Sequence, residues 1–232
     1  MLISVVVPTY NEEKNIGQTL DSIQKLKHPH FDIEILVVDS SSTDKTPAIV
    51  RQHNVKLINE PARGIGRARQ RGVLAARGQI VAFTDADTIV PADWLETLVA
   101  TLREKNVSGA YGFYHIAEGW WAYRLWINRV LPFIMIAGSI VGFHLAPGQN
   151  MAFWRDKALS VGGFDESLTI FEDMEMMSAL RKVGRVRYLP RLLVVSSGRR
   201  GLEKWGFFTR CITSLWKHYI LRRSLALFPD FR

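Results

Sequence analysis

Apolar residues follow two rhythms along this chain. Ile3 to Val7, Glu34 to Val38, Val55 to Ile58 and Gln79 to Thr84 are short runs dominated by Val, Ile and Leu. Runs of that length and branching predict strands covered on both faces. Between them the spacing changes to three and four. Ile16, Leu20, Ile23 and Leu26 share one helical face after Asn11-Glu12-Glu13. Thr46 to His53, Gly64 to Arg77 and Pro91 to Lys105 read as further helices, with Gly78 as a stop signal and Pro91 near a first turn. This alternation predicts an α/β domain, a mostly parallel central sheet flanked by helices.

In open α/β sheets ligands bind beyond the carboxyl ends of the strands. Here those ends carry Pro8-Thr9-Tyr10-Asn11-Glu12, Asp39-Ser40-Ser41-Ser42 and Asp85-Ala86-Asp87. Three polar or acidic strand ends therefore converge on one crevice.

The second half has a different texture. Gly112 to Trp126 is rich in aromatics, and Leu131 to Phe143 is an uncharged apolar run of 13 residues. A membrane span needs about 20 residues, and Arg129 and His144 bound this run. It reads as a buried core segment or one lying in a membrane interface. Leu192 to Val195 predicts a late strand. Beyond it, Trp205, Phe208, Ile212, Leu215 and Tyr219 mark one face of an amphipathic basic helix, opposite Arg210 and Lys217. That helix fits either an anionic membrane surface or the core.

Charge sharpens this division. Residues 1–180 hold 17 Lys+Arg and 20 Asp+Glu, net −3; residues 181–232 hold 13 and 2, net +11. A near-neutral body with so basic an end points to an anionic partner. With 47% hydrophobic and 22% charged residues the composition is that of a folded globule. A single cysteine, Cys211, excludes an internal disulfide and fits a reducing compartment. The opening MLISVVVPTY has no basic n-region or small-residue cleavage site, and reads as a strand rather than a signal peptide.

Several residues are candidates for chemistry. Asp85 and Asp87, two apart beyond a strand, suit a hard divalent cation shared with substrate phosphates; a solvated turn is the alternative. Asp173, beside Glu172, is either a general base at a pocket edge or a helix N-cap. Arg63, Arg67, Arg69 and Arg71 around Gly64 and Gly66 offer phosphate contacts or a solvated basic face. Arg199 and Arg200, in Ser196-Ser197-Gly198-Arg199-Arg200-Gly201, could clamp a diphosphate.

The ordered motifs VVVPTYNEEKNI, ILVVDSSSTDKT, ARQRG, FTDADT, PGQNMAFWRD…VGGFDE…FEDMEM and SSGRRG resemble those of family 2 glycosyltransferases, over nearly the whole length. The resemblance implies a GT-A fold, the nucleotide-diphospho-sugar transferase fold, in residues 1–198. Residues 1–108 would bind the nucleotide sugar and 109–198 the acceptor, with a basic amphipathic helix and tail in 199–232. It implies that Pro8, Thr9, Tyr10, Glu12, Asp39, Arg69, Asp85 and Ala86 bind the donor nucleotide of a UDP- or GDP-sugar. Asp85 and Asp87 would hold Mg²⁺ or Mn²⁺. Asp173 would be the base of an inverting transfer, with Glu172 beside it. Gly163, Phe164, Asp165, Arg199 and Arg200 would meet the acceptor or diphosphate. Ser40 and Gln70 depart from the family's commoner Gly and Asn, and the Q-x-x-R-W motif of processive synthases is absent.

The basic end and the apolar run favour a lipid-linked or glycan acceptor hydroxyl or phosphate, with peripheral contact at the cytoplasmic face of the cell membrane. A soluble acceptor is the alternative within the class. A sugar-1-phosphate nucleotidyltransferase would open with a Gly-rich loop after the first strand, and here the first glycine is Gly17. A nucleic-acid-binding module would leave the acidic clusters without a purpose, so nucleic acid is not an expected partner.

Overall fold

The computed structural model describes residues 1–27, 30–168 and 170–197. The expected basic helix and tail in 199–232, the domain boundary at 198/199, and Arg199 and Arg200 lie outside the described residues.

Along the chain run β1 (Leu2–Thr9), α1 (Ile16–Gln24), β2 (Asp32–Asp39), α2 (Thr46–Gln52), β3 (Lys56–Asn59), α3 (Ile65–Ala75), β4 (Ile80–Phe83), β5 (Thr88–Ile89), α4 (Trp94–Leu102) and β6 (Val107–Ile116). Then follow α5 (Trp121–Leu125), a π-helical turn (Trp126–Val130), α6 (Leu131–Val141), β7 (Met151–Trp154), α7 (Arg155–Ser160), α8 (Glu172–Leu180) and β8 (Arg185–Ser196). One sheet holds the strands in the order β3-β2-β1-β4-β7-β6-β8-β5.

The first half follows the sequence pattern. β3, β2, β1 and β4 pair in parallel, and β1 is buried from Ile3 onward. Beyond them the sheet is mixed. β7 runs antiparallel to both β4 and β6, β6 pairs in parallel with β8, and β5 closes the edge antiparallel to β8. The expected parallel sheet is thus confined mainly to the half where helices form the crossovers. β6 was hidden in the aromatic stretch and β7 in a four-residue run. One apolar layer joins Ile16, Leu20, Trp94 and Leu98 to one sheet face. The other joins Val73, Phe83, Phe153 and Phe164 to the opposite face.

Asn150 locks the β6–β7–β8 region. Its Nδ2 donates to the Phe113 and Leu192 carbonyls at 2.7 and 3.0 Å, and its Oδ1 accepts from Trp94 Nε1 at 2.9 Å. Gly112 makes room: a Cβ there would lie 2.3 Å from Asn150 Nδ2.

The apolar run 131–143 is not a buried core segment. α5, the π turn and α6 form one helical stretch, Trp121–Val141, long and apolar enough to cross a membrane by length and composition. Phe133, Ile140 and Val141 are largely exposed. The sequence reading stopped at Arg129, a charge that a long helix carries on its surface.

Candidate active site

The crevice forms where β1, β2 and β4 end. Asp39 closes β2 opposite Thr9, and its carboxylate accepts from the Ser42 N–H at 3.0 Å and from the Ser42 hydroxyl. Asn11 and Ser41 take left-handed conformations (φ 52° and 61°), which fold both strand ends into tight turns. The turns are stitched together. The Glu12 N–H donates to Thr46 Oγ1 at 2.8 Å, and the Thr43 N–H to Asn11 Oδ1 at 2.8 Å. Tyr10 and Glu12 are buried, and the Arg63 guanidinium lies 4.5 Å from the centre of the Tyr10 ring, a cation–π contact. Pro8, Thr9, Tyr10, Glu12 and Asp39 therefore share one rigid rim. Ala86 is buried with its carbonyl held by Thr19 Oγ1 at 2.9 Å.

Arg69, on α3, is the hub of the crevice. It is 3% exposed. Its guanidinium donates to Glu172 Oε1 and to Asp85 Oδ1, the latter at 3.1 Å, and lies 3.8 Å from Asp173 Oδ2. Arg69 thus faces the three carboxylates as their counter-charge. Residues from α3, the β4 end and the start of α8 meet here, with Arg69 and Glu172 separated by 103 positions in sequence.

Gly148 completes the hub. A Cβ at this position would come within 2.0 Å of Arg69 Nη2, so only glycine admits the guanidinium here. The Gly148 N–H donates to Asp173 Oδ2 at 2.7 Å, and the Met174 N–H donates to Asp173 Oδ1 at 2.8 Å. The N-cap position of α8 belongs to Phe171, in a left-handed conformation (φ 67°). Asp173 sits one residue inside the helix, so the simple N-cap alternative is set aside.

The electrostatics follow from burial. Desolvation is the largest influence on Glu172 and pushes its carboxyl up to about 7, against the pull of Arg69. Burial pushes Asp173 up as well, opposed by Arg69 and by the Met174 and Gly148 N–H groups. Burial acts to lower the Arg69 pKa, but the three carboxylates outweigh it and hold the guanidinium charged. Asp87 Oδ2 accepts from Ser197 Oγ at 2.7 Å, and the Ser197 N–H donates to the Asp87 carbonyl at 3.2 Å.

Asp85 and Asp87 fit a divalent cation by the chemistry of the donor set. Asp85, Glu172 and Asp173 surround one guanidinium, with Asp87 beside Asp85 in the chain, so the cluster holds more negative charge than Arg69 cancels. Among the described residues no group of three or more His, Cys, Asp or Glu side chains is placed to hold a metal by itself. A hard cation at Asp85 and Asp87 would be completed by substrate oxygens and water, as Mg²⁺-type sites are.

The predicted acceptor loop divides by position. Phe164 is 3% exposed and packs edge-on against Phe83 at 5.4 Å, so its side chain serves the core. Its N–H donates to Gln70 Oε1 at 2.8 Å. Gly163 has φ +75°, and a Cβ there would lie 2.2 Å from Gln70 Oε1. Asp165 is exposed and accepts from the Ser167 N–H and hydroxyl. Gln70, one position from Arg69, thereby ties α3 to this loop. Sequence reading missed the roles of Gly148, Gln70 and Ser197. All three lay in quoted motifs, but only their neighbours in space reveal what they do.

Residues 4–160 match the pattern of "Glycosyl transferase family 2". The UDP-Glc:alpha-D-GlcNAc-diphosphoundecaprenol beta-1,3-glucosyltransferase WfgD of Escherichia coli is 35% identical over 119 residues, 50% of this chain and 46% of that protein. The glycosyltransferase AglE of Haloferax volcanii is 36% identical over 111 residues, 45% of this chain and 36% of that protein. The chain thus spans less than half the length of these relatives. Among solved structures, the mannosyltransferase PcManGT from Pyrobaculum calidifontis, in complex with GDP-Man and Mn²⁺, superposes with a TM-score of 0.69 at 26% identity, over 91% of this chain and 64% of that one. Staphylococcus aureus TarS 1-349 in complex with UDP-GlcNAc gives 0.69 at 25% identity, over 84% and 58%. The architecture is the GT-A fold of these neighbours, and with the family's pattern present from residue 4 to residue 160 the chain belongs to glycosyl transferase family 2.

Proposed function

We propose that this chain transfers a sugar, with inversion, from a UDP- or GDP-sugar to a hydroxyl or phosphate of a lipid-linked or glycan acceptor. The carrying observation is the convergence of Asp85, Glu172 and Asp173 on Arg69 beside the rim formed by the β1 and β2 ends. Neighbours of the same fold are complexed with GDP-Man and UDP-GlcNAc. The lipid-linked acceptor is supported by the name of the WfgD relative, which specifies a diphosphoundecaprenol substrate.

In this reading the rim from Pro8 to Glu12 and Asp39 orient the nucleotide. Asp173 accepts the proton of the acceptor hydroxyl. That oxygen attacks the anomeric carbon from the face opposite the nucleotide, and the bond to the diphosphate breaks with its electron pair leaving on the diphosphate. Burial makes Asp173 a stronger base than an exposed aspartate, and Gly148 and Met174 fix its two oxygens. Glu172 and Arg69 are positioning residues that hold Asp85 and Asp173 at one point. Mg²⁺ or Mn²⁺ held by Asp85 and Asp87 would neutralise charge on the leaving diphosphate. Arg199 and Arg200 are proposed to supply further positive charge there. The work is placed at the inner face of the cell membrane, with the basic end in peripheral contact.

A thermal-shift panel of UDP, GDP, TDP, CDP and ADP with and without Mn²⁺ tests the donor site. At a ligand concentration of about 100 times Kd the native state gains about 2.7 kcal/mol. A manganese-dependent shift with one or two nucleotides is expected and identifies the base. No shift with any nucleotide, with or without anionic lipid, overturns the donor-site assignment.

A further inference from the structure

The helical stretch Trp121–Val141 takes no part in the chemistry above, yet its surface is specialised. Tyr123, Ile127 and Met135 are buried, a narrow stripe completed by half-buried Leu131. Much of the remainder is apolar and faces outward. Phe133 is 73% exposed and Ile140 80%, with Trp121, Trp126 and Val141 also exposed. A surface helix in water normally turns charged residues outward. This one carries Arg124 and Arg129 and no carboxylate, and the chain holds no Asp or Glu from residue 119 to residue 155.

The stretch is tied down at two places. Asn128 Oδ1 accepts from the Ile116 N–H and its Nδ2 donates to the Ile116 carbonyl, both at 3.0 Å. Arg181, at the end of α8, donates to the carbonyl of Gly142 just past α6. α6 also packs along β8. These ties hold the helix flat against the domain, a geometry suited to lying in a bilayer surface rather than standing across it.

We propose that Trp121–Val141 is an in-plane membrane anchor that beds its exposed apolar flank into the headgroup–acyl boundary of an anionic bilayer. Exposed tryptophans and arginines are the side chains that settle at this boundary, apolar body inward and polar end toward the headgroups. Charge complementarity selects the occupant. A second copy, or the chain's own end, would bring like charge to a cationic face, since residues 181–232 carry net +11. An anionic leaflet attracts both. The anchor deepens the membrane contact proposed above, and rests on that reading only for the lipid-linked acceptor. Because α8 begins at Glu172 and Asp173 and is tied through Arg181 to the end of α6, docking would fix the acceptor side of the crevice relative to the lipid.

The test is co-sedimentation of the full chain, without nucleotide, with vesicles of phosphatidylcholine alone and of phosphatidylcholine mixed with phosphatidylglycerol. Wild type is expected to bind the mixed vesicles, less at high salt. Phe133→Ser with Ile140→Ser should weaken partitioning by about tenfold or more with melting near wild type, because both side chains are largely exposed. If that pair fails to fold, Val141→Gln with Trp121→Ser carries the same test. Equal binding by wild type and a folded variant overturns the proposal and assigns the contact to the basic end. Absence of wild-type binding, or a wild-type dimer that the substitutions dissolve, also overturns the proposal. Nucleotide shifts are read separately, so failure of the anchor and failure of the donor site are distinguishable.

Discussion

The guanidinium of Arg69 occupies the space a Cβ on residue 148 would fill, 2.0 Å from Nη2. The same Gly148 gives its N–H to Asp173. One missing methyl group therefore positions both the counter-charge and the proposed base. Gly148→Ala should push Arg69 off its carboxylates, destabilise the fold by about 1–3 kcal/mol and lower turnover by orders of magnitude. A melting curve and a glycosyl-transfer assay on the same preparation check this. Unchanged turnover would show that the hub tolerates displacement of Arg69.

Arg69→Met leaves Asp85, Glu172 and Asp173 without their buried partner. Breaking such a cluster from one side costs about 3–5 kcal/mol, which denaturant unfolding would read. Arg69→Lys should recover only part of the loss, because a lysine cannot reach several carboxylates with the planar fork of a guanidinium.

Asp173→Asn keeps size and fold but removes the proton acceptor. A general base contributes about 10²–10⁴-fold, so kcat should fall in that range while the nucleotide-induced thermal shift persists. A near-normal rate would place the base elsewhere.

Asp87→Ala should abolish the manganese-dependent part of the nucleotide shift. It also removes the acceptor of the Ser197 hydroxyl. Ser197→Ala breaks that contact alone and is expected to keep a manganese-dependent shift, which separates metal holding from loop anchoring. Titrating Mn²⁺ against each variant at fixed nucleotide concentration makes the comparison.

His144 sets a pH dependence of stability. It is buried, with its Nδ1 within hydrogen-bond distance of the Tyr111 hydroxyl at 3.0 Å. Burial, and then the nearby Arg181 charge, lower its pKa from 6.5 to about 4. The unfolded chain therefore binds the proton more readily. The contribution of His144 is complete above about pH 6.5 and is lost as pH falls toward 4, by at most roughly 1.4 kcal/mol per pH unit. Stability curves for wild type and His144→Gln should converge in slope above that window and diverge within it. Parallel curves would remove His144 from the account.

Much of the donor half was legible from the sequence because its signals are local. Ile3 to Val7 and Glu34 to Val38 are apolar by short-range pattern, and their polar ends follow directly in the chain. Alternation with helices then forces parallel pairing, and parallel pairing brings those ends to one side of the sheet. Composition likewise carried the basic end and the uncharged apolar run of residues 131–143. The hub was not legible. Arg69, Asp85, Gly148 and Glu172 have no periodicity relating them, and a buried arginine looks like any helical arginine until three carboxylates close around it. β6 and β7 were hidden too, since strands without helical crossovers take their partners from the sheet they join. The exposure of Phe133 and Ile140 was equally undecidable from the chain alone. Hydropathy measures what a residue prefers, and only packing decides which of those preferences the fold leaves unmet.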